Sequence, residues 1–273
     1  MTEDAKKLAV SSESQPPKPQ APPPSKAKKK AKQEESLFDI IKTVVSVVAI
    51  VLVVRTFVFE PFNIPSGSMK PTLLVGDFVF VSKFSYGISK FSFPWIRPPF
   101  SGRILGSLPT RGDVVVFKLP RDTSVDYIKR IVGLPGDRIQ MIDGVLNING
   151  EPVKLQQVED GVDPDYHGHA SVHQFIETLP NGVQHPIFKH DGVNPLDNTA
   201  VFTVPEGKVF AMGDNRDNSL DSRVPPQEDG VGFVPVENLV GRAEVRWFSF
   251  DDQKPWYYGP FGVRWSRLFT GVH

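Results

Sequence analysis

Between Leu37 and Phe59 the chain reads LFDIIKTVVSVVAIVLVVRTFVF, apolar except for Asp39, Lys42, Arg55 and a few hydroxyls. No polar face recurs every 3.6 residues, as a helix lying on a soluble core requires. The charge-free run from Thr43 to Val54 reaches only roughly 18 Å as a helix, short of a hydrocarbon layer of about 30 Å. A membrane span therefore needs Lys42 and Arg55 to snorkel toward the two interfaces. A buried core element is the competing reading. A cleaved leader fits less well, because a long charged tail precedes the segment and no small-residue cleavage site follows it.

The flanks point the same way. Residues 1–36 are rich in Lys, Pro, Ser and Ala, too polar to bury, and read as a disordered tail or solvated spacer. Nine lysines lie between Lys6 and Lys42, whereas Arg55 and Lys70 are the only basic residues soon after the span. The positive-inside rule then keeps the tail in the cytoplasm and sends residues 60–273 across. The same lysines suit contact with anionic lipid. Overall the 31 basic and 31 acidic residues cancel, so beyond the lysine-rich tail the chain is mildly acidic, which argues against a nucleic-acid binder. With no cysteine, thiol nucleophiles, disulfides and thiolate-held metals are excluded.

Beyond Glu60 the pattern is that of a β protein. Gly-Asp precedes apolar or alternating runs at Gly76-Asp77, Gly112-Asp113 and Gly136-Asp137, and Asp143-Gly144 and Asn149-Gly150 mark tight hairpins around Val145–Ile148. Residues 155–200 lose the pattern and gather His, Asp, Pro and Gly, so a loop-rich insertion is expected there. Strand pattern resumes at 200–204 and 240–248.

Three segments carry possible chemistry. In Pro61–Leu74, prolines flank Ser66-Gly67-Ser68, which fits either a rigidly presented hydroxyl or a Ser-capped turn. A reacting serine needs a proton acceptor. Five of the six histidines lie within 167–190 and the sixth is His273, so a Ser-His-Asp triad stays open without support. Ser68 lacks the flanking glycines of a nucleophile elbow. Lys70 shares a face with Ser68 if the chain is extended there, which leaves it a weak candidate. In Tyr127–Asp137, alternation places Tyr127, Lys129 and Ile131 on one face and Ile128, Arg130 and Val132 on the other. A lysine against apolar neighbours can lose its proton near neutrality, whereas arginine does not; a snorkelling strand lysine fits equally. Met212–Arg223 is dense in charge and hydroxyls and reads as a polar turn or a site-holding network. His167, His169 and His173 have a metal-like spacing, but their surroundings favour a solvated loop, and no metal is expected.

Together these segments resemble the bacterial signal peptidase I (leader peptidase) family, serine proteases with a Ser-Lys dyad. The likeness is carried by Glu60–Leu74 with its PSGSM core, the Gly-Asp strand starts, DYIKRIVGLPGD at 126–137, GDNRDNSLDSR at 213–223 and, in kind, 232–242. It covers most of 56–154 and 205–273. The resemblance implies Ser68 as nucleophile, Lys129 as general base, Ser66 as oxyanion donor beside the Ser68 amide, and Ser219 as the group orienting the Lys129 amine. Gly213, Asp214, Arg216, Asp221 and Arg223 would form the scaffold behind them. Phe62, Ile64, Met69, Leu73, Tyr127 and Ile128 match positions lining two shallow pockets for small substrate residues. It further implies a mainly β, antiparallel-sheet extracytoplasmic domain over 60–273 on one transmembrane helix at 37–59, in the cytoplasmic (inner) membrane. Exported preproteins, membrane lipid and the secretion translocon are the expected partners, with no cofactor; Phe91, Phe93, Trp95 and Ile96 are candidates for an apolar lip on lipid. Some family members carry two spans or a disulfide, and 155–200 matches nothing familiar. Two alternatives share these segments: a Ser-Lys protease for a specialised secreted or conjugation precursor, and a membrane-tethered β scaffold without catalysis.

Overall fold

The structure, a computed structural model, describes residues 37–93, 96–163, 170–192, 194–251, 253–254 and 256–273. Helix α1 (Leu37–Phe57) has 21 residues, about 31 Å at 1.5 Å per residue, and exposes apolar side chains on every side. Among the described residues it is the one helix long and apolar enough to cross a membrane. It stops two residues before the expected end, because Phe59 already belongs to the first strand. Arg55 does not snorkel alone: Glu60 accepts from its Nε and Nη2 at 3.0 and 2.9 Å, and from the buried Lys83 at 2.7 Å.

The strands that follow are β1 (Phe59–Asn63), β2 (Asp77–Ser82), β3 (Val114–Leu119), β4 (Asp122–Gly133), β5 (Arg138–Ile142), β6 (Val145–Ile148), β7 (Lys154–Asp163), β8 (Ala170–Thr178), β9 (Gln184–His190), β10 (Lys208–Met212) and β11 (Leu239–Ser249). The main sheet is antiparallel in the order β1-β2-β11-β3-β4-β10, extended by Val234–Pro235 beside β10 and by Thr270–Gly271 beside β11. It is buried on both faces. Along β3, Val114 and Val116 enter a cluster with Ile64, Met69, Leu73 and Val79, while Val115 and Phe117 enter another with Ile131, Val209 and Leu239.

The Gly-Asp pairs start strands by one repeated device. Gly76, Gly112 and Gly136 hold φ of 86°, 100° and 86°, which side chains disfavour. Each following aspartate closes its turn twice: its N–H donates to the carbonyl three residues back, and its carboxylate accepts that residue's N–H at 2.7 to 2.9 Å. Asp143-Gly144 and Asn149-Gly150 have positive φ at both residues, the requirement of a type I′ hairpin, and Ile142 pairs with Val145.

The insertion departs from expectation. Residues 154–163, 170–178 and 184–190 form a three-stranded antiparallel sheet, β7-β8-β9, and among the described residues the stretch after it is loop-like, with one 3-10 turn at Pro195–Asp197. Hydropathy hides these strands because Glu177 and His185 occupy inward positions, each 1% exposed. The apolar lip is also revised. Phe91 is buried, Phe93 packs edge-on to Phe57 at 6.2 Å, and Ile96 is exposed. Trp95 lies outside the described residues, as do His167 and His169.

Candidate active site

Ser68 sits in a 3-10 turn (Gly67–Met69) that follows β1. That turn, rather than an extended chain, turns Lys70 inward, where its aliphatic carbons pass 3.1 Å from the place a Cβ on Gly67 would take. Beneath the turn Ile64, Met69 and Leu73 are 2%, 0% and 0% exposed, so they form its packed base rather than an open pocket wall. Phe62 packs partly buried against the same cluster. Tyr127 and Ile128, by contrast, line an open cleft of about 750 Å³ together with Ser66, Ser68, Lys129 and Ser219.

The amine of Lys129 lies 2.7 Å from Ser68 Oγ and 3.1 Å from the Ile128 carbonyl, and stands over the Tyr127 ring at 5.3 Å. Its side chain makes no ion pair among the described residues. Burial brings its pKa down to about 8; Asp221 and Asp214 pull it back upward, and Arg223 pushes further down. Ser66 Oγ is 3.4 Å from Ser68 Oγ, on the exposed rim. Ser219 lies in the cleft wall with a buried hydroxyl that makes no hydrogen bond among the described residues, so no contact to the Lys129 amine is formed.

Behind the pair lies a buried ionic network. Asp214 receives Arg130 Nε and Nη2 at 2.9 and 2.7 Å and the Thr72 hydroxyl at 2.5 Å. Arg216 donates to both oxygens of Glu177 at 2.7 and 2.5 Å, and His185 stands between Glu177 and Asp214 at 3.2 and 3.4 Å. Asp221 receives Arg223 Nε and Nη2 at 2.9 and 2.8 Å and the Gly213 amide at 3.1 Å. Burial alone would raise the pKa values of Asp214, Asp221 and Glu177, but their arginines outweigh it and hold all three below the ordinary range. Gly213 is required by space. A Cβ there would meet Ser219 Oγ at 2.2 Å and the Ser68 carbonyl at 2.5 Å.

Several residues of this site were not singled out from sequence. Asn215 donates its backbone N–H to the Ser68 carbonyl and its side-chain amide to the Gly67 carbonyl, both at 3.1 Å. The insertion supports that contact: Phe188 of β9 exchanges backbone hydrogen bonds with Asp214 and Arg216 at 2.9 and 3.0 Å. Arg130, Glu177, His185 and Asp217 belong to the same framework. The one available signal was the hairpin turn Asn181-Gly182 between β8 and β9, which announces the strands that carry Glu177 and His185. Three of the four described histidines are engaged elsewhere: His173 between Asp160 and Asp191 at 2.6 and 2.7 Å, His185 in the network, and His190 against Asn215 at 3.0 Å.

A serine hydroxyl against a buried, readily deprotonated amine, at the foot of an open cleft, is an arrangement suited to acyl transfer by a serine peptidase with a lysine base. A family profile described as "Signal peptidase, peptidase S26" matches residues 37–248, and the chain belongs to this family of peptidases. It is 42% identical over 255 residues to signal peptidase I of Rickettsia typhi (strain ATCC VR-144 / Wilmington), covering 83% of this chain and 90% of that one. To signal peptidase I of Rickettsia canadensis (strain McKiel) it is 44% identical over 255 residues, covering 85% and 92%. A crystal structure of a signal peptidase I from Enterococcus faecalis V583 is 26% identical and covers 50% of this chain and 97% of its own, at a TM-score of 0.28.

Proposed function

We propose that this chain is a membrane-anchored serine endopeptidase that removes N-terminal signal peptides from exported preproteins, cutting after small residues of the Ala-x-Ala type. The observation that carries the chemistry is the 2.7 Å approach of Ser68 Oγ to the desolvated Lys129 amine. Neutral Lys129 takes the Ser68 proton as Oγ attacks the scissile carbonyl. The tetrahedral intermediate collapses as the ammonium returns the proton to the leaving amine, which leaves an acyl ester on Ser68. Lys129 then deprotonates the water that hydrolyses the ester. Ser66 and the Ser68 amide are the donors assigned to the oxyanion. Ser219, whose buried hydroxyl makes no hydrogen bond among the described residues, is assigned to orient the amine once substrate closes the cleft.

The substrate has a ready platform. On the β10 side, β4 is paired only at Arg130, Ile131 and Gly133, so among the described residues the edge from Asp126 to Lys129 has no strand partner there. A preprotein segment laid on that edge as an added strand would bring its backbone to the dyad. The assigned organisation is a tail at 1–36, a span at 37–59 and a catalytic domain at 60–273 that includes the 155–200 insertion. The lysine-rich tail supports an N-terminus in the cytoplasm and a catalytic domain across the cytoplasmic (inner) membrane. Lipid is the surface suited to Tyr257, Phe261, Trp265 and Phe269, which are 70%, 81%, 66% and 79% exposed. The secretion translocon is the partner that would deliver substrate.

Cleavage of an Ala-x-Ala preprotein by the detergent-solubilised full chain tests the reading. Wild type cuts after the second alanine, and Ser68→Ala and Lys129→Ala, both folded, lose at least roughly 10³-fold in kcat. Variants that cut as well as wild type would remove the dyad and leave the scaffold alternative.

A further inference from the structure

The cleft that holds the dyad has two walls from different parts of the chain. One is β4, with Val125 at its far end; at about 3.3 Å per residue, Val125 lies roughly 13 Å along the strand from Lys129. The other comes from the insertion, whose turn Asn194–Leu196 lines the same cavity together with Leu220. Val125 and Leu220 are 39% and 50% exposed, so the cleft carries apolar surface open to water beside the polar chemistry near Ser68.

The insertion wall is braced at both ends. Asn194 Oδ1 accepts the Leu196 amide at 2.8 Å, and Asn194 Nδ2 donates to Asp217 Oδ1 at 2.9 Å. The other oxygen of Asp217 accepts the His190 amide at 2.7 Å, which ties the turn to the end of β9. Beyond Leu196, the Asp197 carbonyl accepts the Gly144 amide at 2.9 Å and its carboxylate lies 3.4 Å from Lys189. A turn held in this way offers a fixed surface, and Leu196 at its centre is half-buried. Fixed apolar side chains on both sides of a groove favour one kind of occupant, a branched or long apolar side chain, and disfavour a carboxylate.

We propose that Leu196 is a specificity-determining residue, reading a large apolar side chain of the preprotein about four or five residues from the cut, in the groove it lines with Val125 and Leu220. The proposal rests on the reading of Ser68 and Lys129 as the dyad, since that contact fixes where the scissile bond lies. The insertion thereby has a role in substrate choice as well as in bracing the nucleophile turn. Occupancy of this groove adds to the recognition of the small residues beside the cut.

The test uses the full chain in detergent and a set of Ala-x-Ala preproteins that keep both alanines, each with Leu, Ser or Asp at one other position from two to eight residues on either side of the cut. Wild type prefers Leu over Asp by roughly tenfold or more in kcat/KM at one position within the stated distance. In Leu196→Asp that ratio falls by about tenfold, through KM, and Leu196→Ser gives an intermediate ratio. Ratios that do not change at any position overturn the proposal, and so does a uniform loss on every substrate, which would make Leu196 a folding residue. Ser68→Ala run beside them separates the two readings: a variant that still cuts removes the dyad, whereas a dead one with unaltered Leu196 ratios removes only the groove.

Discussion

Lys129 and Arg130 are consecutive residues of one strand, both buried, and the fold treats their charges in opposite ways. Arg130 turns toward a carboxylate: Asp214 meets it twice, and the Gly112 and His273 carbonyls accept from it at 2.7 and 3.1 Å. Lys129 turns to the other face, where it finds a serine hydroxyl, a carbonyl and an aromatic ring. A permanently charged guanidinium is given the partners that buried charge requires. An amine that can shed its proton meets no carboxylate among the described residues, and burial brings its pKa down to about 8. Alternation on a strand, a period of two residues, is enough to separate structural charge from reactive nitrogen.

Breaking the compensated side has the largest effect expected. Asp214→Ala leaves Arg130 buried without its counter-ion and lowers stability by about 3–5 kcal/mol in denaturant melts; a change below about 1 kcal/mol would mean that water reaches the guanidinium. The uncompensated side predicts the opposite sign. The folded Lys129 binds its proton less tightly than the unfolded lysine, with a pKa of about 8 against 10.5, so its burial costs about 3 kcal/mol below pH 8. That penalty fades as pH rises from about 8 to 10.5. Lys129→Met therefore gains stability relative to wild type at pH 7, and the gain shrinks across that window. The smallest effect belongs to Ser219→Ala, which removes a hydroxyl with no hydrogen bond and changes stability by no more than about 1 kcal/mol. A kcat loss well beyond that change would assign Ser219 its role in the substrate complex.

What was legible in the sequence follows from where each signal resides. The apolar run of α1, the Gly-Asp turns and the Asp143-Gly144 hairpin are local, so composition and backbone chemistry announce them. Apart from the Asn181-Gly182 turn, the β7-β8-β9 sheet leaves no local signal, because its inward face carries Glu177 and His185 where alternation looks for apolar residues. Ser68 and Lys129 stand 61 positions apart, and their own segments left each open to a bland reading; the resemblance paired them, and the fold brings their side chains together. Arg130 with Asp214, and Glu177 with Arg216, are joined only by tertiary packing across 84 and 39 positions. The part of the insertion that was loop-like as expected supplies Leu196 to the cleft, a contact that no local pattern encodes.

The most direct measurement is the rate of Ser68 acylation as a function of pH, followed by mass spectrometry of the full chain with an acylating peptide ester. With the free amine as the proposed base, the rate should rise with pH along a single limb centred near 8 and level off above it, and Lys129→Ala should abolish the limb. A limb that is retained in Lys129→Ala, or one centred near the ordinary histidine value of about 6.5, would contradict Lys129 as the base.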